Sequence, residues 1–309
     1  MGRFRKFLAG LGIGKATDEE TGLGDAESGT MPSTGLSKGG STAAPPEEIE
    51  PHFDPTPDLP QPFGYKVNWF AVRASSPEVV LEALGLHAKA PANWASGMAA
   101  AYRWSASDDA AKWVFASPVT DGWVLLVGTS LPYPINTEDG DHCGIGRAFD
   151  VIFERLKSRF EEVQFFGSYR VVGFVAWARA VRGASERVFG YGDGGVYANI
   201  GRQSPEEATL GFPRLDGLSV SDATDRIFEL AGAESARQDA LVASGVPPRE
   251  SIVQARQGKA SAIPGEEHVA ALARLWSVDP TQLGDPARAH DPGIGLVARI
   301  PKDLMRVPT

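Results

Sequence analysis

The composition changes at Pro62, and that change limits what the chain can fold into more than any motif does. Residues 1–61 hold no Trp or Tyr and are crowded with Gly, Pro, Ser, Thr and acids, whereas Trp69, Trp94, Trp104, Trp113, Trp123 and Trp177 follow in succession. A stretch of the first kind cannot bury enough apolar surface to offset the entropy of ordering it, and the second can. The sequence therefore predicts a disordered tether over 1–61 and a folded body after it. Pro45, Pro46, Pro51, Pro55, Pro57, Pro60 and Pro62 predict that the later half of the tether is extended. At its start, Arg3, Arg5 and Lys6 alternate with Phe4, Phe7, Leu8, Leu11 and Ile13. Residues 1–14 read as a basic amphipathic tip capable of weak contact with a membrane surface or a partner, although Gly10, Gly12 and Gly14 weaken any helix there. The run is too short and too Gly-broken for a secretory signal. Lys6 stands where a myristoylation pattern needs Ser or Thr.

The chain has 309 residues and a formal net charge of -9. An acidic surface repels phosphate backbones, so nucleic acid is not expected as a partner. Cys143 is the only cysteine. No intramolecular disulfide can form, and a cytoplasmic location is the expectation.

Within the folded body, Lys66–Val72 is β-branched and aromatic and reads as a strand. Ser76-Pro77-Glu78 starts a helix carrying Val80, Leu81 and Leu84, and Gly85 ends it. Trp113–Ala116 and Trp123–Gly128 flank Pro118, Asp121 and Gly122 and predict a hairpin. Phe149, Ile152, Phe153, Leu156 and Phe160 recur at helical spacing. Val163–Phe166, Val171–Ala180, Arg187–Tyr191 and Val196–Ile200 read as further strands. Later, Ile227, Leu230 and Ala231 mark one helix and Val269–Trp276 another, with 249–264 read as loop.

This order predicts an α+β fold: a ferredoxin-like βαββαβ arrangement with extra antiparallel strands and C-terminal helices, its helices covering one face of the sheet. The predicted divisions are a tether at 1–61, a sheet domain at 62–212 and a helical extension at 213–309 packed on it.

Several motifs fail on their surroundings. Gly190-Tyr191-Gly192-Asp193-Gly194-Gly195 matches a dinucleotide fingerprint, but the strand-like Val196–Ile200 follows where a helix must start. Gly14-Lys15 lacks both the earlier Gly (Ala9) and the following hydroxyl (Ala16) of a phosphate loop. Val269–Leu283 has a helix-turn-helix rhythm, but the second helix carries no Lys or Arg for DNA. No cofactor and no metal site is expected.

Glu138-Asp139-Gly140-Asp141-His142-Cys143 is the densest chemical cluster. A thiolate beside an imidazole can act as a nucleophile, which makes Asp141, His142 and Cys143 the candidate catalytic residues. The simpler reading is a loop whose acids complement the dipole of the helix beginning near Ile145. Tyr169, Trp177, Tyr191 and Tyr197 lie on the late strands and form the candidate partner-binding surface, if they face outward.

Phe63-Gly64-Tyr65-Lys66 with Trp69-Phe70-Ala71-Val72, then Ala83-Leu84-Gly85-Leu86, Val127-Gly128, Leu131-Pro132 and Trp276-Ser277-Val278-Asp279-Pro280 resemble an uncharacterised bacterial family over about residues 63–283. That resemblance implies a small α+β protein of unassigned activity and brings no catalytic residues with it. The leading expectation is a non-catalytic cytosolic binding protein of the immunity or accessory type that recognises another protein. The competing one is a hydrolase or transferase centred on residues 138–143.

Overall fold

A computed structural model of the chain describes residues 51–309 except 104–111, 137–140, 142, 193, 260, 289 and 306–309. Pro51–Thr309 forms a compact unit, the second of the two into which the chain divides. The strands of the second unit are β1 (Val67–Val72), β2 (Ala88–Asn93), β3 (Trp113–Ala116), β4 (Val124–Gly128), β5 (Glu162–Tyr169), β6 (Phe174–Val181), β7 (Ala184–Gly192), β8 (Gly195–Gly201) and β9 (Ile294–Arg299). They form one sheet in the order β2-β9-β3-β4-β1-β5-β6-β7-β8. Every neighbouring pair is antiparallel. The helices are α1 (Pro77–Ala83), α2 (Trp94–Ala101), α3 (Ile145–Lys157), α4 (Pro205–Thr209), α5 (Val220–Ala243), α6 (Pro248–Ala255), α7 (Glu266–Trp276) and α8 (Lys302–Met305). The protein is therefore mixed α+β, with a large antiparallel sheet and several helices.

Strand β1 shows why the sheet is covered on both sides. All six of its residues are buried, and successive side chains of a strand point to opposite faces. Trp69 stacks on Phe166 at 5.2 Å, and Phe166 meets Trp276 of α7 at 5.7 Å. On the opposite face Phe70 lies 6.1 Å from Phe149 of α3 and 4.9 Å from Phe165. Helices α2, α5 and α7 share the Trp69 face, where Trp94, Ile227 and Leu272 join one buried cluster. Helices α1 and α3 share the other, tied together where Arg155 Nη1 donates to the Leu84 carbonyl at 3.0 Å. The expectation of helices on one face is thus corrected. The doubly apolar strands, with almost no polar alternation, carry the reason.

Local chemistry explains the connections. Asp121 and Gly122 both have positive φ (52° and 83°) and make the two-residue turn of the β3–β4 hairpin, the geometry that matches strand twist. Thr120 and Trp123 close it with reciprocal backbone hydrogen bonds of 2.8 and 2.9 Å. Edge strand β2 contains Pro91, which lacks the donor a central strand needs.

Three predicted boundaries move. The last residues of the predicted tether belong to the folded unit: Phe53 packs edge-on against Trp113 at 5.2 Å, and Asp58 accepts from the Trp94 and Ala95 amides at 2.6 and 2.9 Å. Those two amides are orphan donors at the start of α2, and a carboxylate from a distant segment satisfies them. The tail predicted as a helical extension contributes β9, which lies inside the sheet between β2 and β3. Residues 249–255, part of the predicted loop at 249–264, belong to α6, which Pro248 starts at its first position. The amphipathic tip at 1–14 lies outside the described residues.

Candidate functional site

A cleft of about 410 Å³ opens beside the β6–β7 pair, lined by Arg179, Glu186, Arg187, Gly201, Arg202, Gln203, Ser204, Pro205 and Trp276. Arg179 and Arg187 are register partners, so both side chains leave the Trp69 face of the sheet. The register shifts after Arg179, because Ala180 pairs with Ser185. Glu186 is the extra residue of this β-bulge, and the bulge places its Oε2 3.9 Å from Arg179 Nε. Across the cleft, Gly201 has φ +83° and a Cβ there would run into the Glu186 carbonyl oxygen. Only glycine lets β8 end this close to the bulge.

The floor of the cleft is a buried polar network. Arg187, 4% exposed, gives Nε to Glu207 Oε1 at 3.0 Å and Nη1 to Asn199 Oδ1 and the Ile200 carbonyl at 2.9 and 3.2 Å. Glu207 Oε1 also accepts from the Trp177 indole at 3.0 Å. Its Oε2 accepts from the Ser204 amide at 2.8 Å, while the Glu207 amide donates to Ser204 Oγ at 3.1 Å. This reciprocal capping box fixes α4 over the sheet. On one wall, Arg179 Nε lies 2.8 Å from Glu162 Oε1 and its guanidinium sits 5.7 Å from the Trp276 ring centre. Burial pushes the Glu206 carboxyl up, but its own amide, Ser204, the Trp276 indole and Arg179 outweigh that and hold it below the ordinary value.

The predicted cluster at 138–143 takes a different form. Asp141 is buried, and its carboxylate accepts from the Ile145 and Arg147 amides, both at 3.0 Å, with the Arg147 guanidinium 4.0 Å away. The acid is committed to the first turn of α3. Cys143 is half-buried and free. Glu138, Asp139 and His142 lie outside the described residues. Nearby, desolvation first, then the charges of Glu154 and Asp141, push the Asp150 carboxyl up to about 6 even though the residue reaches the surface. Among the described residues no group of His, Cys, Asp and Glu is arranged to hold a metal ion.

The predicted aromatic surface is divided by the structure. Trp177 is buried in the Glu207 network, 4.6 Å from Phe189 and 4.9 Å from Phe212. Tyr191 is buried as well, and burial raises its hydroxyl above the usual value. Tyr169 and Tyr197 are half-buried, and Tyr197 lies along Phe174 at 6.4 Å. The expectation of an outward face shared by all four is corrected, because helices fill the side on which Trp177 lies. The cleft arginines carried no signal in the sequence: Arg179, Arg187 and Arg202 sit at unrelated spacing and meet only through strand register.

Exposed apolar surface lies elsewhere. Helix α5 runs for 24 residues but buries only Ala223 and Ile227. Past Ile227 it is braced by α6, with Arg256 Nε 2.7 Å from Glu234 Oε1 and Arg237 Nε donating to the Ala255 carbonyl at 3.1 Å. Phe228, Val242 and Val253 remain exposed on this helical arm, Val253 at 61%. No helix among the described residues is long and apolar enough to cross a membrane. No protein-family model matches the chain, and neither a curated protein nor a solved structure is similar to it.

Proposed function

We propose that the protein is a non-catalytic, cytosolic binding protein of the immunity or accessory type, and that it engages another protein through the arm formed by α5 and α6. The observation that carries this reading is the α5–α6 arm, where Phe228 and Val242 of α5 and Val253 of α6 are exposed. Apolar side chains held on a rigid helical pair are a common way to present a docking face. The commitment of Asp141 to the α3 amides argues against a reaction centre at 138–143. The single cysteine suits a reducing compartment. The acidic balance speaks against nucleic acid.

The likeness to an uncharacterised bacterial family belongs to the same proposal. So does a ferredoxin-like origin for the sheet, supported by the adjacency β3-β4-β1-β5 with α1 and α3 on one face. In that reading β2 and β9 extend one side and β6–β8 the other.

Crosslinking in the native host, followed by recovery of the full chain, tests the function. A specific partner should be recovered with the wild type and lost with Val242→Glu/Val253→Glu, whose exposed positions leave folding intact. Recovery of no partner, or of the same partner with the double variant, ends the proposal. Turnover of a small molecule that disappears in Cys143→Ser would replace it with the enzyme reading.

A further inference from the structure

The cleft beside β6 and β7 holds an excess of hydrogen-bond donors that the fold does not use. Arg202 is exposed and makes no ion pair or hydrogen bond among the described residues. Arg179 spends Nε on Glu162 and, among the described residues, has neither Nη in a hydrogen bond. Arg187 spends Nε and Nη1 and, among the described residues, has no acceptor at Nη2, with 4% of the residue exposed. Ser204 Oγ accepts from the Glu207 amide and its hydroxyl also stabilises the Glu206 carboxylate, so it adds no spare donor. Glu162 and Glu207 are already spent on Arg179 and Arg187, and Glu206 on the Trp276 indole and Ser204. In the lining itself Glu186 is the one carboxylate, half exposed and 3.9 Å from Arg179, too far for a hydrogen bond.

Arg187 Nη2 is not shut away from solvent: it lines the cleft, where an acceptor-rich ligand can reach it. Water can do so, but three guanidinium groups around one opening match the paired oxygens of a carboxylate or phosphate better than they match water. The cleft volume of about 410 Å³ falls within the range of small-molecule sites. The Trp276 ring, already faced by Arg179, supplies an apolar wall.

We propose that this cleft binds a small molecule through an oxyanion, carboxylate or phosphate, gripped by Arg202, Arg187 and Arg179, with Glu186 as the carboxylate it displaces. The bulge matters to this reading: it brings Glu186 to the cleft, where a regular strand would turn it to the other face. The site stands apart from the α5–α6 arm, so its test is independent of any protein partner.

Calorimetric titration of the full chain with inorganic phosphate, and separately with citrate, tests it. One of the two anions should bind with one-to-one stoichiometry, and the anion that binds identifies the ligand chemistry. Arg202→Gln should weaken that binding by about tenfold, the loss expected for one charge-assisted hydrogen bond. Glu186→Gln should tighten it several-fold, because the competing carboxylate is gone. Both side chains are exposed, so both variants keep the wild-type melting temperature. Binding of neither anion overturns the inference. So does binding that is unchanged in both variants, since that anion would sit elsewhere on the surface.

Discussion

Arg187 and Glu207 meet at 3.0 Å with both side chains almost entirely removed from water. Removing one partner of such a pair leaves a buried charge without compensation, which costs about 3–5 kcal/mol. Glu207→Ala also releases the Trp177 indole and the Ser204 amide, so the expected loss lies at the upper end of that range. Adding Arg187→Met to Glu207→Ala removes the stranded charge, and the double variant should be more stable than the sum of the single losses by at least about 1 kcal/mol. Urea unfolding of the four proteins measures the cycle. Additive losses would show that the pair does not hold α4 on the sheet.

That pair also marks the limit of what the sequence discloses. The hairpin at Asp121-Gly122, helix α3 and the strands from Glu162 to Gly201 are legible, because each follows from local periodicity and turn chemistry. Strand β9 is not: its partners β2 and β3 lie far away in the chain, and nothing within Ile294–Arg299 reports that separation. Asp58 is hidden for the same reason, since it caps a helix whose first residue is Trp94. The role of Asp141 at the start of α3 is readable, because cap and helix are adjacent. The cleft depends on register across β6, β7 and β8 and on one bulged residue, and neither is encoded by spacing. The Phe63–Lys66 and Trp276–Pro280 phrases, far apart in the chain, meet in space: the Phe63 amide donates to the Pro280 carbonyl at 2.9 Å.

Two glycines in helices should respond to alanine with opposite sign. Gly97 lies on the side of α2 that meets Phe115, and a Cβ there would overlap the ring. Gly97→Ala should cost about 1–3 kcal/mol by overpacking. Gly232 sits in α5, where an added Cβ would find nothing within 4 Å, so Gly232→Ala should gain about 0.5–1 kcal/mol from helix propensity. Thermal unfolding of both variants separates the two effects. A stabilising Gly97→Ala would refute the close approach of α2 to the sheet.

Asp58 fastens the segment before β1 to α2 by its two hydrogen bonds to the Trp94 and Ala95 amides. Asp58→Ala should lower stability by about 0.5–2 kcal/mol, the usual value of a helix cap. It should also speed proteolysis between Pro51 and Pro62, because this carboxylate is one of the few polar ties holding that stretch. Limited proteolysis followed by mass spectrometry reads the site. Unchanged cleavage rates would mean that the Phe53–Trp113 contact and the remaining hydrogen bonds, such as those of Asn93 to the Asp54 and Thr56 carbonyls, hold the segment without the Asp58 carboxylate.

His268 gives the stability a pH dependence on its own. Its Nδ1 accepts from the Gly265 amide at 2.8 Å, and its ring meets Phe212 at 5.4 Å. Burial, aided by the charge of Arg256, lowers its pKa below the ordinary 6.5, against the opposing pull of Glu267. The folded protein therefore binds fewer protons than the unfolded chain just below pH 6.5, and stability must rise with pH through that window. The contribution is complete above the unfolded value and is lost as pH falls through the folded one. Protonation at Nδ1 also breaks the bond from Gly265, which needs the nitrogen lone pair. His268→Gln keeps an acceptor three residues into α7, where Gln closes a capping box well, but cannot titrate. Its unfolding free energy should lose the part of the slope below pH 6.5 that His268 supplies, while staying close to the wild type at about pH 8. A variant as pH-sensitive as the wild type would assign the slope to other groups, Asp150 excepted, because its raised pKa makes stability fall as pH rises.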